Sequence, residues 1–133
     1  MPFTIHIESG KIREYANAVG ATDNRYRSED SPVPPTFLVT ARNLWASPAD
    51  LSYFRELGFD FARLLHGEEE YVFFGRPPRA GDSLEVTTYI ADRWEREGRR
   101  GGIMRFAAVV SEFRDGNGDL VAEQRSTLIE AES

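Results

Sequence analysis

Between Arg76 and Ile90 the chain passes from a segment that can continue neither a helix nor a strand to one built only for a strand. Arg76-Pro77-Pro78-Arg79-Ala80-Gly81-Asp82 lacks backbone donors at both prolines and gains a glycine, so a sheet must pause there. From Ser83 the pattern alternates strictly. Leu84, Val86, Thr88 and Ile90 point one way and Glu85, Thr87 and Tyr89 the other, as in a strand with one face on a core. Upstream, the stretch from Leu65 reads as an apolar segment, a charged turn at Glu68-Glu69-Glu70 and a short strand from Tyr71 to Phe74. Downstream, a charged tip from Asp92 to Gly102 leads into Ile103 to Arg114, with Met104, Phe106, Ala108 and Val110 on one side. Asp115-Gly116-Asn117-Gly118-Asp119 has the composition of a hairpin turn, and Leu120 to Ile129 closes the sheet. Strands in this order with tight turns form an antiparallel meander.

The helical signals come earlier in the chain. Phe3, Ile5 and Ile7 predict a short strand ending at Ser9-Gly10, with Ser9 placed to cap a helix. Ile12, Tyr15, Ala16 and Val19 then share one helical face, and Gly20 stands at its end. Ala21 to Pro35 is polar and proline-rich, which predicts a surface loop of a length that in compact domains is often functional. Thr36 to Trp45 places Phe37, Thr40, Ala41 and Leu44 on one face, with Thr36 as N-cap, and is the expected buried central helix. Ser47-Pro48-Ala49-Asp50 starts a helix that runs to Leu57 and stops at Gly58, and Phe59 to Leu65 adds one more helical turn. The expectation is one α+β domain over residues 1–133: a curved antiparallel sheet wrapped around the Thr36 to Trp45 helix. Such a sheet leaves unpaired edges, so a dimer with a second copy or a homologue is expected.

Composition removes several function classes. The net charge of −6 repels phosphate backbones, and the basic runs Arg93 to Arg100 and Arg76 to Arg79 alternate with acids or prolines, which argues against nucleic-acid binding. With no cysteine there is neither a disulfide framework nor a thiolate metal site. No apolar run approaches the roughly 20 residues of a membrane span, and the N-terminal MPFTIHIESG lacks the basic flank and apolar core of a signal peptide. We expect a cytoplasmic protein without membrane association.

Several segments together resemble the MaoC-like hydratase/dehydratase family with the hot-dog fold, and in particular its FAS1-like dehydratase N-terminal half domains. Lys11 to Gly20 is similar to that family's first helix, Pro34-Pro35-Thr36-Phe37 to the start of its central helix, and His66-Gly67-Glu68, Arg76-Pro77 and Gly81-Asp82 to its strand and corner signature. The resemblance implies reversible hydration of an enoyl thioester, carried on CoA or acyl-carrier protein with no further cofactor. In the family an Asp and a His act within a pattern resembling Y-A-x-x-x-G-D-x-N-P-x-H. Laid over Tyr15 to Tyr26, the pattern matches Tyr15, Ala16 and Gly20, but its Asp falls on Ala21, its Asn on Asp23, its Pro on Asn24 and its His on Tyr26. Alanine cannot accept a proton, and a tyrosine with a pKa near 10 is a poor base at neutral pH. This resembles the non-catalytic subunit of heterodimeric (3R)-hydroxyacyl-ACP dehydratases.

The resemblance suggests Pro35, Thr36, Phe37, His66, Gly67 and Tyr71 as substrate-binding residues, and Asp23, Tyr26 and His66 as the remaining catalytic candidates. Each has a second reading. His66 either hydrogen-bonds at an acyl pocket or is a structural histidine at a helix-to-strand corner. Asp23 either replaces the missing base or bonds its own turn. The Glu68-Glu69-Glu70 run is taken as a solvated edge rather than a metal site. Aromatic residues from Phe54 to Phe74 serve as core, as an acyl tunnel wall, or as both. The expected function is an acyl-thioester-binding hot-dog subunit, non-catalytic and partnered with an Asp/His-bearing homologue. The alternatives are a self-sufficient homodimeric hydratase or thioesterase with a rearranged site, and a non-enzymatic acyl-binding module.

Overall fold

The last three strands of the anticipated meander frame the molecule, while the first of its four, at residues 64–73, pairs with the last strand rather than with its successor in sequence. In a computed structural model that describes residues 2–132, one antiparallel sheet has the order β1-β3-β4-β5-β2. Its strands are β1 (Phe3–His6), β2 (Leu64–Phe73), β3 (Ser83–Glu97), β4 (Ile103–Arg114) and β5 (Leu120–Glu130). The β4–β5 turn forms because the Asp115 carboxylate accepts the N–H groups of Asn117 and Asp119, at 2.9 and 3.1 Å, while Gly118 takes a φ of 82°. The proline-rich corner is a junction of three segments. Its Pro78 carbonyl accepts from Val33 and its Ala80 N–H donates to Ser31, while Gly81 and Asp82 exchange hydrogen bonds with Ile7. Much of the end of the supposed surface loop is therefore interior: Ser31, Val33 and Pro34 are buried, while its first part, around a 3₁₀ turn at Asn24–Arg27, and its last residue, Pro35, are exposed.

Other boundaries differ from expectation, each for a local reason. Helix α1 (Ser9–Ala18) begins one residue earlier than a Ser9 cap allows: Glu8 is the cap and its carbonyl accepts from Lys11 and Ile12. Ile12 and Ala16 are buried as expected, but Val19 lies past the helix and is exposed. The central helix is broken into a 3₁₀ turn, Phe37–Thr40, and a single α turn, α2 (Ala41–Leu44). Thr40 donates its hydroxyl to the Phe37 carbonyl at 2.8 Å, competing with the helical ladder. Thr36 makes no capping bond, and Leu44 faces outward rather than inward.

The next helix is also split, into a 3₁₀ turn at Pro48–Leu51 and α3 (Tyr53–Leu57). Its expected start holds, since the Asp50 carboxylate accepts from the Ser47 N–H and hydroxyl, and Gly58 ends it at a φ of 65°. The Arg93 guanidinium closes the end of α3 by donating to the Glu56 and Leu57 carbonyls. The largest correction concerns β2. One 3₁₀ turn, Phe61–Arg63, precedes a ten-residue strand, so Glu68-Glu69-Glu70 lies within it and is not a turn. Pairing with β5 along nearly its whole length holds that strand extended and satisfies one side of its backbone, with a bulge between His66 and Glu68.

All helical segments cover one sheet face. Val86, Phe113, Ala122 and Phe73 stand opposite one another in register and, with Phe37, Leu38 and Ile12, form one apolar cluster. Ala107, Val109 and Leu128 form a second with Tyr53, Leu57 and Phe59. Phe106, Ala108 and Val110, which alternate with these, face the other side of the sheet.

A buried carboxylate ties the second cluster to the strand ends. Glu130 is 3 % exposed and accepts from the Asp60 N–H and from Arg105 at 2.6 Å, with Arg63 at 3.7 Å. The Asp60 N–H first, and then the guanidinium groups, hold its carboxyl below the usual carboxylate range. A group with a depressed folded-state pKa contributes stability that is complete above its unfolded value, about 4.3, and is lost as pH falls through the folded value. Glu130→Gln is expected to lower stability at pH 7 by about 2 kcal/mol, because it leaves the partly buried Arg105 guanidinium without a counter-charge, while Arg63 keeps Asp60 at 3.3 Å. Thermal melts across the acid range should show a shallower acid slope for the variant. Equal slopes would remove Glu130 from the acid response.

Candidate functional site

Two places on the helix-covered side of the sheet hold the predicted residues. The first is where α1 meets the broken central helix. Tyr15 shares the α1 face of Ile12, and its hydroxyl bonds the Thr36 hydroxyl at 2.6 Å and the Thr36 carbonyl at 3.2 Å. Its ring stands edge-on to Phe37, centroids 5.6 Å apart. Thr36 and Phe37 thus come together with Tyr15, while Pro35 is exposed beside them. Phe37, Tyr15, Thr40 and Leu44 line an open groove of about 220 Å³.

Ala21 and Tyr26, onto which the sequence resemblance lays the family's acid–base pair, lie on the loop that follows α1. Ala21 has only a methyl group to offer. Asp23 accepts from the Arg25 N–H at 2.9 Å and pairs with its guanidinium at 3.0 Å, contacts that hold its carboxyl below the usual range. It is bound into its own turn. Tyr26 packs on the first apolar cluster with the Arg25 guanidinium 5.9 Å from its ring centroid.

The second place is the inward face of β2. His66, Glu69 and Tyr71 stand opposite Leu128, Ser126 and Gln124. Tyr71 packs against the cluster that contains Phe37, but His66 is exposed and lies 4.0 Å from Glu69, apart from the Thr36 group. Gly67 sits at the bulge, where an added Cβ would meet the Ile129 side chain, away from the Thr36 group. Burial first, and then the Glu69 charge, pushes the Tyr71 hydroxyl well above the ordinary tyrosine range, so it is a hydrogen-bonding group and not a base.

Register reveals residues that the sequence reading passed over. Thr88, Ser111, Gln124 and Tyr71 form one polar row across β3, β4, β5 and β2, and Ser126 and Glu69 stand beside it. Thr88 and Ser111 share a hydrogen bond of 2.8 Å, and Gln124 donates to Glu69 at 3.2 Å and to Tyr71 at 3.3 Å. Ser126 donates to the other Glu69 oxygen. Across from the sheet, Arg42 of α2 donates to the Tyr53 hydroxyl at 3.1 Å. The signal was present in the alternation, since Ser111, Gln124 and Ser126 occupy inward positions that a plain core would give to apolar residues.

Among the described residues, no helix is long and apolar enough to cross a membrane, and no group of His, Asp and Glu converges as metal ligands do.

This fold has solved counterparts. A C-terminally truncated HadBC (3R-hydroxyacyl-ACP dehydratase) complex from Mycobacterium tuberculosis superimposes with a TM-score of 0.74 at 20 % identity, over 97 % of this chain and 94 % of that one. The ChsH1–ChsH2 complex of the same organism gives 0.73 at 16 % identity, over 99 % and 83 %. A MaoC-like dehydratase from Phytophthora capsici gives 0.72 at 20 % identity, over 98 % of this chain and 45 % of that one. The architecture is the hot-dog fold of MaoC-like dehydratases. In sequence, a UPF0336 protein of Parafrankia sp. is 31 % identical over 97 % of this chain and 85 % of its own length. One from Streptomyces griseus is 34 % identical over 60 % of this chain, and the match spans 57 % of that relative. The family described as FAS1-like, dehydratase domain region matches residues 1–124, and the chain belongs to that family.

Proposed function

We propose that this chain is the acyl-thioester-binding, non-catalytic half of a two-subunit enoyl hydratase or 3-hydroxyacyl dehydratase, whose Asp and His come from a homologous partner. The reading is supported by an open groove lined by Tyr15, Phe37, Thr40 and Leu44, with Ala21 and Tyr26 at the positions onto which the resemblance lays the family's acid–base pair and the nearby Asp23 bound into its turn. The substrate would arrive as a CoA or acyl-carrier-protein thioester, and no other cofactor enters the reaction.

Strand β2 supports a partner. It is an edge strand of ten residues with one side of its backbone unpaired, and Leu65 and Val72 on it are exposed. Its middle is Glu68-Glu69-Glu70, so a two-fold pairing of identical strands would set like charges against each other. A homologue with a neutral or basic edge pairs better than a second copy. Self-association should therefore be salt-dependent. Light scattering at micromolar concentration should give a mass above the 15.1 kDa of one chain at high salt, and a lower mass at low salt, where the repulsion is unscreened. A monomer under both conditions would count against an edge built for pairing.

The 4.0 Å approach of His66 to Glu69 favours a second reading, a homodimer with a rearranged site. The carboxylate could orient the imidazole as a general base. Loss of activity in His66→Ala, measured on the isolated chain, would select it.

A further inference from the structure

Strand β4 has the sequence of a strand covered on both faces. Apart from Arg105, every residue from Ile103 to Val110 is apolar, and Ala107, Ala108, Val109 and Val110 are all buried. Near-continuous apolar runs mark strands with cover on both sides, whereas a strand with one solvated face alternates with polar residues. The helical segments lie only on the face of Ala107 and Val109. On the other face Met104, Phe106, Ala108 and Val110 stand in register with Arg96, Trp94, Asp92 and Tyr89 of β3, and Ile129, Thr127 and Arg125 of β5 continue the rows.

These outward rows run across the strands about 6.6 Å apart. Trp94, Phe106, Ile129 and Leu65 form a ridge of large side chains, with the Trp94 and Phe106 rings stacked at 5.3 Å and Leu65 exposed. The next row toward the corner has the small residues Ala108 and Thr127 at its centre, with Asp92 and Glu68 at its ends. The row after that is large again, with Tyr89, Val110 and Arg125. The small row is therefore a furrow. It forms an open depression of about 390 Å³ that includes Ala108 and Thr127 and is flanked by Trp94, Phe106, Ile129 and Arg125.

A ridge beside a furrow of the same length is complementary to itself. A two-fold axis across the strands, midway between the two rows, lays the ridge of each copy in the furrow of the other, Phe106 over Ala108 and Ile129 over Thr127. The two sheets then pack face to face in the aligned manner, about 10 Å apart. The same axis carries the hairpin tip, with the exposed Arg99 and Arg100, to the row of Glu112 and Glu123 on the other copy. Opposite charges thus meet at both ends of the contact, fixing its direction while the apolar rows supply affinity. Four strands about 4.8 Å apart and four rows about 6.6 Å apart give a patch of about 500 Å² on each copy, at the lower bound for a specific interface.

We propose that the outer face of the sheet is a contact between two copies of this chain, with Phe106 and Ile129 of each seated over Ala108 and Thr127 of the other. The contact leaves the backbone edge of β2 free for a homologous partner, and it does not depend on the acyl-binding reading.

The test follows Trp94 in the full chain carrying Trp45→Phe, which leaves Trp94 as its single tryptophan. Acrylamide quenching of Trp94 and the mass from sedimentation equilibrium are measured over one dilution series. As concentration rises, the mass should double from 15.1 kDa and the quenching should fall with the same midpoint. Thr127→Arg, which fills the furrow from a half-buried outward position, should raise that midpoint at least about tenfold while leaving the melt cooperative. If Thr127→Arg does not fold, the exposed tip variant Arg99→Glu with Arg100→Glu carries the comparison, with a shift in the same direction. A monomer at every concentration, or a midpoint that survives the substitutions, would overturn the contact. Self-association that leaves Trp94 quenching unchanged would also overturn it, and would place the pairing at the β2 edge.

Discussion

Phe37→Asp should leave little folded protein at physiological temperature. Phe37 is 1 % exposed, lies in the first apolar cluster and meets the edge of the Tyr15 ring. Removing a buried phenylalanine costs about 3–5 kcal/mol through lost burial and the cavity left behind. The new carboxylate would have to ionise without a partner or stay protonated, and either adds to that cost. Since domains of this size are stable by roughly 5–15 kcal/mol, one substitution would consume most of the margin. Phe37→Leu, which keeps much of the volume, should cost about 1–1.5 kcal/mol. Leu44→Asp is the control: it shares the face that helical spacing assigns to Phe37, but the broken helix leaves it 44 % exposed, so the melting temperature should hardly move. Thermal denaturation of the three variants reads this directly. An unchanged midpoint for Phe37→Asp would mean that the Phe37–Thr40 turn is not part of the core.

That contrast shows what the sequence could convey. The β3, β4 and β5 meander was legible because alternation and turn chemistry are local: Leu84 and Val86 go inward, and Asp115 and Gly118 bend the chain. The α2 region was legible only as an apolar face. Its length was not, because the Thr40 hydroxyl bonds back to Phe37 and Ser47-Pro48 starts a new turn within a few residues of Leu44. Strand β2 was largely hidden, since His66-Gly67 and three glutamates break any alternation and only the pairing with β5 makes them extended. The placing of Ala21 and Tyr26 at the family's acid–base positions rests on laying one sequence pattern on another. The closeness of His66 and Glu69, and the polar row, depend on strand register and a bulge that composition does not specify.

The central claim, that this chain binds an acyl thioester and leaves the chemistry to a partner, is tested most directly by reconstitution. Hydration of crotonyl-CoA and longer enoyl-CoA thioesters would be followed for this chain alone, for an Asp/His-bearing homologue alone, and for the two together. General acid–base groups typically supply 10² to 10⁴ in rate, and on the proposed reading Ala21 and Tyr26 stand in their place, so alone this chain should show no turnover above background. The mixture should exceed the sum of the separate rates by at least about 10²-fold. Its chain-length preference should change with Phe37→Leu in this chain, while Tyr26→Phe should leave the rate within about tenfold, roughly 1.4 kcal/mol. The contradicting result is hydration by this chain without a partner, abolished by Asp23→Asn or His66→Ala.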